Sequence, residues 1–138
     1  KSGLTIKEYQ NQYVYQPDPD RPGQRKYRAL DSAFNQDLDS HRREVNHVIE
    51  RVCSLPEINI NPTLMRAMWG VESTFGAARR SETGCTGDWQ FTRSTFQDMC
   101  KRYNVAGKLR ELGYHEKADL LERGGDGMDL RNDGIIST

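Results

Sequence analysis

The 138-residue sequence has few cysteines, no excess of charge of either sign and no long apolar run. Cys53, Cys85 and Cys100 are too few for a disulfide scaffold, and three thiols allow at most one internal bridge. Two interpretations stay open: one bridge, most readily through Cys85, or three unreactive thiols that pack as small core residues.

Charge, hydropathy and histidine spacing argue against nucleic-acid-binding, transmembrane and metal-binding classes of protein. Twenty basic residues offset twenty acidic ones, so no global field would attract nucleic acid. No apolar run approaches the roughly 20 residues of a transmembrane helix. The three histidines show no ligand spacing to each other or to the cysteines, so neither a metal nor a cofactor is predicted. The opening Lys1-Ser2-Gly3 is typical of a processed piece of a longer protein.

The first part of the chain is polar and rich in proline. The stretch "QPDPDRPGQRKYR" has no sustained apolar period, which predicts an extended or weakly ordered N-terminal arm over residues 1–38. Tyr9, Tyr13 and Tyr15 could give this arm a contact surface. Residues 39–138 are then expected to form one domain.

Helical periodicity dominates this second part, with no convincing alternation typical of strands, so the predicted class is all-α. A first helix is expected from Asp39 or Ser40 to a point before Pro56, and a second from Asn61 as cap and Pro62 at the first position. Ser94 is expected to cap a third helix. A fourth is expected over about residues 106–122, followed by the start of a further element.

Glu72 is the most unusual residue of the second helix. Leu64, Met68, Val71 and Phe75 form an apolar stripe, and Glu72 lies beside that stripe rather than opposite it. A carboxyl group partly withdrawn from water there should favour its neutral form. The alternative is a solvated Glu72, or an ordinary ion pair with a nearby arginine.

The residues after Glu72 favour the first interpretation. Glu72-Ser73 is followed in order by a set of small and polar residues, namely Gly76, Ser81, Gly84, Gly87, Gln90 and Thr95. In this order and spacing the set resembles the signature of the soluble lytic transglycosylases, which have a lysozyme-like fold. The resemblance covers about residues 45–100 well, the remainder to 138 loosely and the N-terminal arm not at all.

The resemblance implies a lysozyme-like helical domain that cleaves peptidoglycan between N-acetylmuramic acid and N-acetylglucosamine. It makes Glu72 the catalytic acid and then base, with formation of a 1,6-anhydro product. It implies that Ser73, Ser81 and Gln90 contact the sugar chain. It also implies that Gly84 and Gly87 let the loop run close to Glu72 and the glycan.

Two residues depart from the family pattern. Asp88 stands where the family has an aliphatic residue, and it is either solvated at a turn or a second carboxylate near the cleft that contacts substrate. Trp89 is either a core residue or a platform for a sugar. The family's C-terminal tyrosine segment would fall beyond Thr138, so the domain is expected to be truncated.

The hypothesis from sequence is therefore a lytic transglycosylase that needs no cofactor. Its partners would be peptidoglycan strands and an envelope or secretion-system protein. The substrate class alone suggests a periplasmic or cell-envelope location. The alternatives are a goose-type-lysozyme-like hydrolase, which would leave reducing ends, and a non-catalytic member that only binds glycan or protein.

Overall fold

The computed structural model describes residues 5, 13–17, 20–29, 32–81 and 83–138. The described chain is mostly helical, which confirms the predicted class in its coarse form. No helix in the described part of the chain is long and apolar enough to cross a membrane.

One two-stranded hairpin, which was not predicted, lies in the segment expected to be an arm. Strands β1 (Tyr13–Pro17) and β2 (Arg25–Ala29) pair antiparallel, with Tyr15 opposite Tyr27. The turn between them has Pro22 before Gly23, whose φ of 79° suits a turn position that side chains disfavour. Tyr9 and the rest of residues 6–12 lie outside the described residues.

The first helix, α1, spans Ser32–Cys53 and so begins a full turn or more before the predicted Asp39 or Ser40. The reason is that its buried face extends towards the N-terminus: Leu38 is buried on the same side as Val45 and Ile49. Its end before Pro56 is confirmed.

The second helix, α2, spans Pro62–Ser73, as the Asn61-Pro62 start predicted. The Asn61 side chain accepts a hydrogen bond from the Thr63 amide at 2.8 Å. Trp69 projects from α2 into a core cluster with Val45 and Ile49 of α1. The two helices are thereby packed through the residues that flank the candidate site.

The C-terminal helices form the second core cluster. Helix α3 (Arg93–Arg102) is capped by Thr92, not by Ser94, because the Thr92 hydroxyl accepts from the Thr95 amide. The single helix predicted for residues 106–122 is wrong, since Gly113, with a φ of 89°, separates α4 (Val105–Glu111) from α5 (His115–Glu122).

Short elements complete this end of the chain. Two 3-10 turns, Gly124–Gly127 and Leu130–Asn132, lead to α6 (Gly134–Ser137), which is the further element expected there. The residues that this half of the molecule buries together are Phe96, Leu109, Ala118, Leu130 and Ile136.

Candidate functional site

Glu72 lies in the last turn of α2 and is exposed to solvent. The stripe beside it does not face the core: Leu64 is 58%, Met68 51%, Val71 84% and Phe75 43% exposed. The expectation of a carboxyl group withdrawn from water is therefore wrong for the free protein. Trp69, rather than the stripe, anchors α2 to the core. Glu72 thus stands at the edge of an exposed apolar surface.

The chain reverses sharply directly after Glu72. Thr74, Phe75 and Gly76 all have positive φ, at 53°, 54° and 81°. This left-handed region is sterically costly for residues with a Cβ, and most of all for a β-branched one such as Thr74. The side chains of Ser73 and Arg42 both hydrogen-bond to this left-handed turn, which comprises residues 74–76.

Ser73 is 1% exposed and so has no surface for a sugar. Its hydroxyl accepts a hydrogen bond from the Gly76 amide at 2.9 Å and approaches the Trp69 carbonyl oxygen at 3.4 Å. The predicted substrate contact is corrected to a structural role, because this hydroxyl closes the end of α2.

Arg42 of α1, which the sequence did not single out, reaches the same turn. Its Nε donates to the Phe75 carbonyl at 2.7 Å and its Nη2 donates to the Thr74 carbonyl at 2.9 Å. The guanidinium carbon also lies 6.0 Å from the centre of the Phe75 ring. Arg42 lies within the predicted first helix, but no local pattern connects it to a turn 32 and 33 residues later in the chain.

Asp88 is 0% exposed, and neither of its two predicted positions is correct. Its carboxylate accepts from the Trp69 indole nitrogen at 2.8 Å and contacts His41 Nε2 at 2.8 Å. A buried carboxylate is tolerated when its oxygens are paired in this way. Asp88 therefore fixes the loop to both α1 and α2 and is not available to a substrate.

The other side of the His41 ring faces Arg79. The Arg79 Nη1 atom lies 3.4 Å from His41 Nδ1. Burial lowers the pKa of Arg79, and the negative charge of Asp88 opposes that change. A hydrogen bond from Arg79 to Nδ1 requires the His41 tautomer in which Nε2 carries the proton and donates it to Asp88. The Asp88 carboxylate and the Arg79 guanidinium then compensate each other within this buried cluster.

The two remaining predicted sugar contacts, Ser81 and Gln90, make hydrogen bonds within their own loop. Ser81 Oγ accepts from the Cys85 amide at 2.8 Å, and Gln90 Nε2 donates to the Gly87 carbonyl at 2.8 Å. Both side chains keep partial exposure, so each can still meet a ligand at its free edge.

Glu72 is not among the nearest neighbours of an added Cβ at either loop glycine. A Cβ on Gly87 would overlap the Arg131 carbonyl oxygen, so its close approach is to the C-terminal segment rather than to Glu72. Nothing lies within 4 Å of a Cβ built on Gly84. Arg131 further holds the loop by donating to the carbonyls of Gly84 and Phe91 at 2.8 and 3.0 Å.

Trp89 and the cysteines have structural surroundings. Trp89 packs against the Val45–Ile49–Trp69 cluster, and its indole donates to the Thr138 hydroxyl at 3.0 Å, which favours the core interpretation. Cys53, Cys85 and Cys100 are free and half-buried. Burial raises the pKa of the Cys53 and Cys100 thiols, which makes both less reactive.

Two open clefts lie away from Glu72. One of about 460 Å³ lies between α3 and the Gly124–Asn132 segment, and one of about 520 Å³ is bordered by His41, Arg80 and Asn132. Glu72 lines neither of them. The described residues contain no cluster of His, Cys, Asp or Glu that could hold a metal ion.

The arrangement around Glu72 thus joins one exposed carboxyl group, an apolar stripe and a turn held from α1. Comparison of the chain with protein-family models, with curated proteins and with solved structures found no match.

Proposed function

We propose that this chain is a lytic transglycosylase domain that cleaves the β-1,4 bond between N-acetylmuramic acid and N-acetylglucosamine. The observation that carries the proposal is the ordered set of residues from Glu72-Ser73 through Gly76, Ser81, Gly84, Gly87 and Gln90 to Thr95. The exposed Glu72 at a helix end supports it, since a catalytic carboxyl group must be reachable by an extended polymer.

Glu72 performs both proton transfers in the proposed reaction. Its carboxyl group gives a proton to the glycosidic oxygen as the bond to the muramic acid C1 breaks, so the glucosamine sugar leaves as an alcohol. The resulting carboxylate takes the proton of the muramic acid 6-hydroxyl, whose oxygen attacks C1. The product is a 1,6-anhydro sugar, no water is consumed, and the carboxyl group returns to its first state.

Because Glu72 is exposed in the free protein, the substrate itself must shield this carboxyl group from water. A glycan strand laid along the stripe would exclude water from Glu72, and a carboxyl group that loses water favours its neutral form. The substrate itself would therefore supply the desolvation that the catalytic acid needs. The proposed location is the cell envelope, with an envelope or secretion-system protein as a further partner, because peptidoglycan is found there.

The test is digestion of purified peptidoglycan with the wild-type chain and with Glu72→Gln. Glu116→Gln is the matched control, since Glu116 is also an exposed helical glutamate. We expect Glu72→Gln to lower the rate by about 100-fold or more, because a general acid or base contributes about 10²–10⁴. Glu116→Gln should match the wild type.

Mass spectrometry of the released sugars distinguishes the enzyme classes. Anhydro ends are one water lighter than the reducing ends that a goose-type-lysozyme-like hydrolase would leave. Undiminished release by a folded Glu72→Gln chain contradicts the proposal in either form.

A second candidate function is non-catalytic binding of glycan or protein. The exposed stripe on α2 favours it, because monomeric proteins seldom leave a contiguous set of large apolar side chains in water without a binding role. Retention of the wild-type chain on peptidoglycan with no soluble product after long incubation would support this function over the first.

A further inference from the structure

The left-handed turn after Glu72 is an unfavourable conformation that its own residues do not explain. Gly76 accepts its φ of 81° readily, but Thr74 and Phe75 carry side chains at φ values of 53° and 54°. A backbone of this kind persists only when surrounding contacts determine it, and such sites cluster where function needs a fixed geometry.

Gly70 shows how closely the turn folds back on α2. Glycine weakens a helix, yet Gly70 stands within the last turn of α2. A Cβ at this position would lie 2.6 Å from Phe75 Cζ, so the ring lies directly on the helix backbone. The ring also meets Trp69 edge-on, with the ring centres 5.4 Å apart. The absent side chain at Gly70 is thus explained by the position of Phe75.

Arg42 is the contact from another helix that stabilises this arrangement. It donates from two nitrogens to the carbonyls of the two strained residues, at 2.9 Å to Thr74 and 2.7 Å to Phe75. The planar guanidinium presents its donors in a fixed fork, which a lysine ammonium lacks. These two bonds therefore favour the left-handed turn over a relaxed backbone.

We propose that Arg42 is a positioning residue for Glu72. By holding residues 74 and 75, it keeps the last turn of α2 wound, and with it the direction of the Glu72 side chain. This inference rests on the proposed function, because it assigns Arg42 a part in that reaction without contact to the substrate.

A simpler role for Arg42 would be that of a stabilising helix cap. Left-handed residues commonly end helices, and basic side chains often bind the last carbonyls. A cap of that kind lowers stability when removed but leaves the turnover of the folded protein unchanged. The kcat of folded protein therefore separates the two roles.

The test compares Arg42→Gln, Arg42→Lys and the control Arg43→Gln on peptidoglycan, well below their melting temperatures. Arg43 is the adjacent exposed arginine, and its Nη2 donates to Ser40 of its own helix. We expect Arg42→Gln to lower kcat by about 10- to 100-fold with little change in KM, because small misplacements of a catalytic group have effects of this size. Arg42→Lys should recover part of the loss, and Arg43→Gln should match the wild type.

Amide hydrogen exchange on the same variants tests the turn without reference to catalysis. The Thr74 amide donates to the Gly70 carbonyl at 3.0 Å, and the Gly76 amide donates to Ser73 Oγ. Both should exchange at least tenfold faster in Arg42→Gln. If that variant does not fold, Arg42→Lys supplies both comparisons.

The possible failures are distinguishable. A folded Arg42→Gln chain with wild-type kcat overturns the positioning role. Unchanged exchange overturns the clamp itself, that is, the stabilisation of the left-handed turn by the two hydrogen bonds from Arg42. A wild-type chain without activity, but with faster exchange in Arg42→Gln, overturns the proposed function and the catalytic part of the inference while the clamp stands.

Discussion

Replacement of Asp88 by alanine should be among the most destabilising changes in the molecule. The Asp88 carboxylate is fully buried and accepts hydrogen bonds from Trp69 and His41, each at 2.8 Å. Removing it leaves the buried Trp69 indole and the partly buried His41 ring without this acceptor. It also leaves the half-buried Arg79 guanidinium without the negative charge that opposes the lowering of its pKa.

The magnitude follows from these contacts. A hydrogen bond to a charged group contributes about 1.5–3 kcal/mol, so two such bonds predict a loss of about 3–6 kcal/mol. A domain is stable by only about 5–15 kcal/mol, so Asp88→Ala is expected to remove a large part of the free energy of unfolding. Asp88→Asn should lose less, since its amide oxygen can still accept one of the two bonds.

The assay is urea denaturation followed by circular dichroism at 222 nm. Asp98→Ala is the matched control, because Asp98 is exposed on α3 and forms an ion pair with Arg102 at 3.0 Å. Asp98→Ala should lower the free energy of unfolding by less than about 1 kcal/mol. A loss below about 1 kcal/mol for Asp88→Ala, with an unchanged dependence on urea, would refute the reasoning.

Two further predictions concern the C-terminal segment that packs on the loop. Gly87→Ala should lower the free energy of unfolding by more than about 4 kcal/mol, because the new Cβ would overlap the Arg131 carbonyl oxygen. Gly84 has the same φ of 90° but open space around it, so Gly84→Ala should lower it by only about 1–2 kcal/mol. Thermal melting of both variants checks this, and equal losses would contradict the role of the close approach. Hydrogen bonding from Arg131 lowers the pKa of Asp129, so the contribution of this pair is fully present above the ordinary value of 3.8 and is lost as pH falls through the lower value in the folded protein. Asp129→Asn should therefore lower the free energy of unfolding by up to about 1 kcal/mol at neutral pH and by less as pH falls below 3.8, as measured by urea midpoints. A deficit that does not change with pH would disprove the assignment.

Local sequence chemistry predicted several element boundaries correctly. The Asn61-Pro62 pair marked the start of α2, and Pro56 limited α1, because both effects act within one turn of the chain. The single helix predicted over residues 106–122 is wrong because it runs through Gly113, where the chain leaves the helix. Its φ of 89° shows that a glycine can end a helix even where apolar residues continue the period.

Contacts between residues far apart in the chain could not be predicted from local sequence patterns. Asp88 contacts His41, which lies 47 residues earlier, and no local pattern connects the two. Its burial also depends on Trp69, whose indole supplies a donor that a simple apolar residue would lack. The sequence therefore identified an unusual carboxylate at position 88 but not its partners.

The apolar stripe of α2 shows the limit of periodicity most clearly. The spacing of Leu64, Met68, Val71 and Phe75 establishes that they share a face, but it does not establish what covers that face. In the structure Trp69, on another side of α2, is the residue buried in the core, whereas the stripe and Glu72 are both exposed to solvent. Under the proposed function, one ligand that covers the stripe would also desolvate the acid, so binding along α2 and activation of Glu72 become a single event. Binding energy from sugars remote from the cleaved bond would then appear in kcat rather than in KM alone.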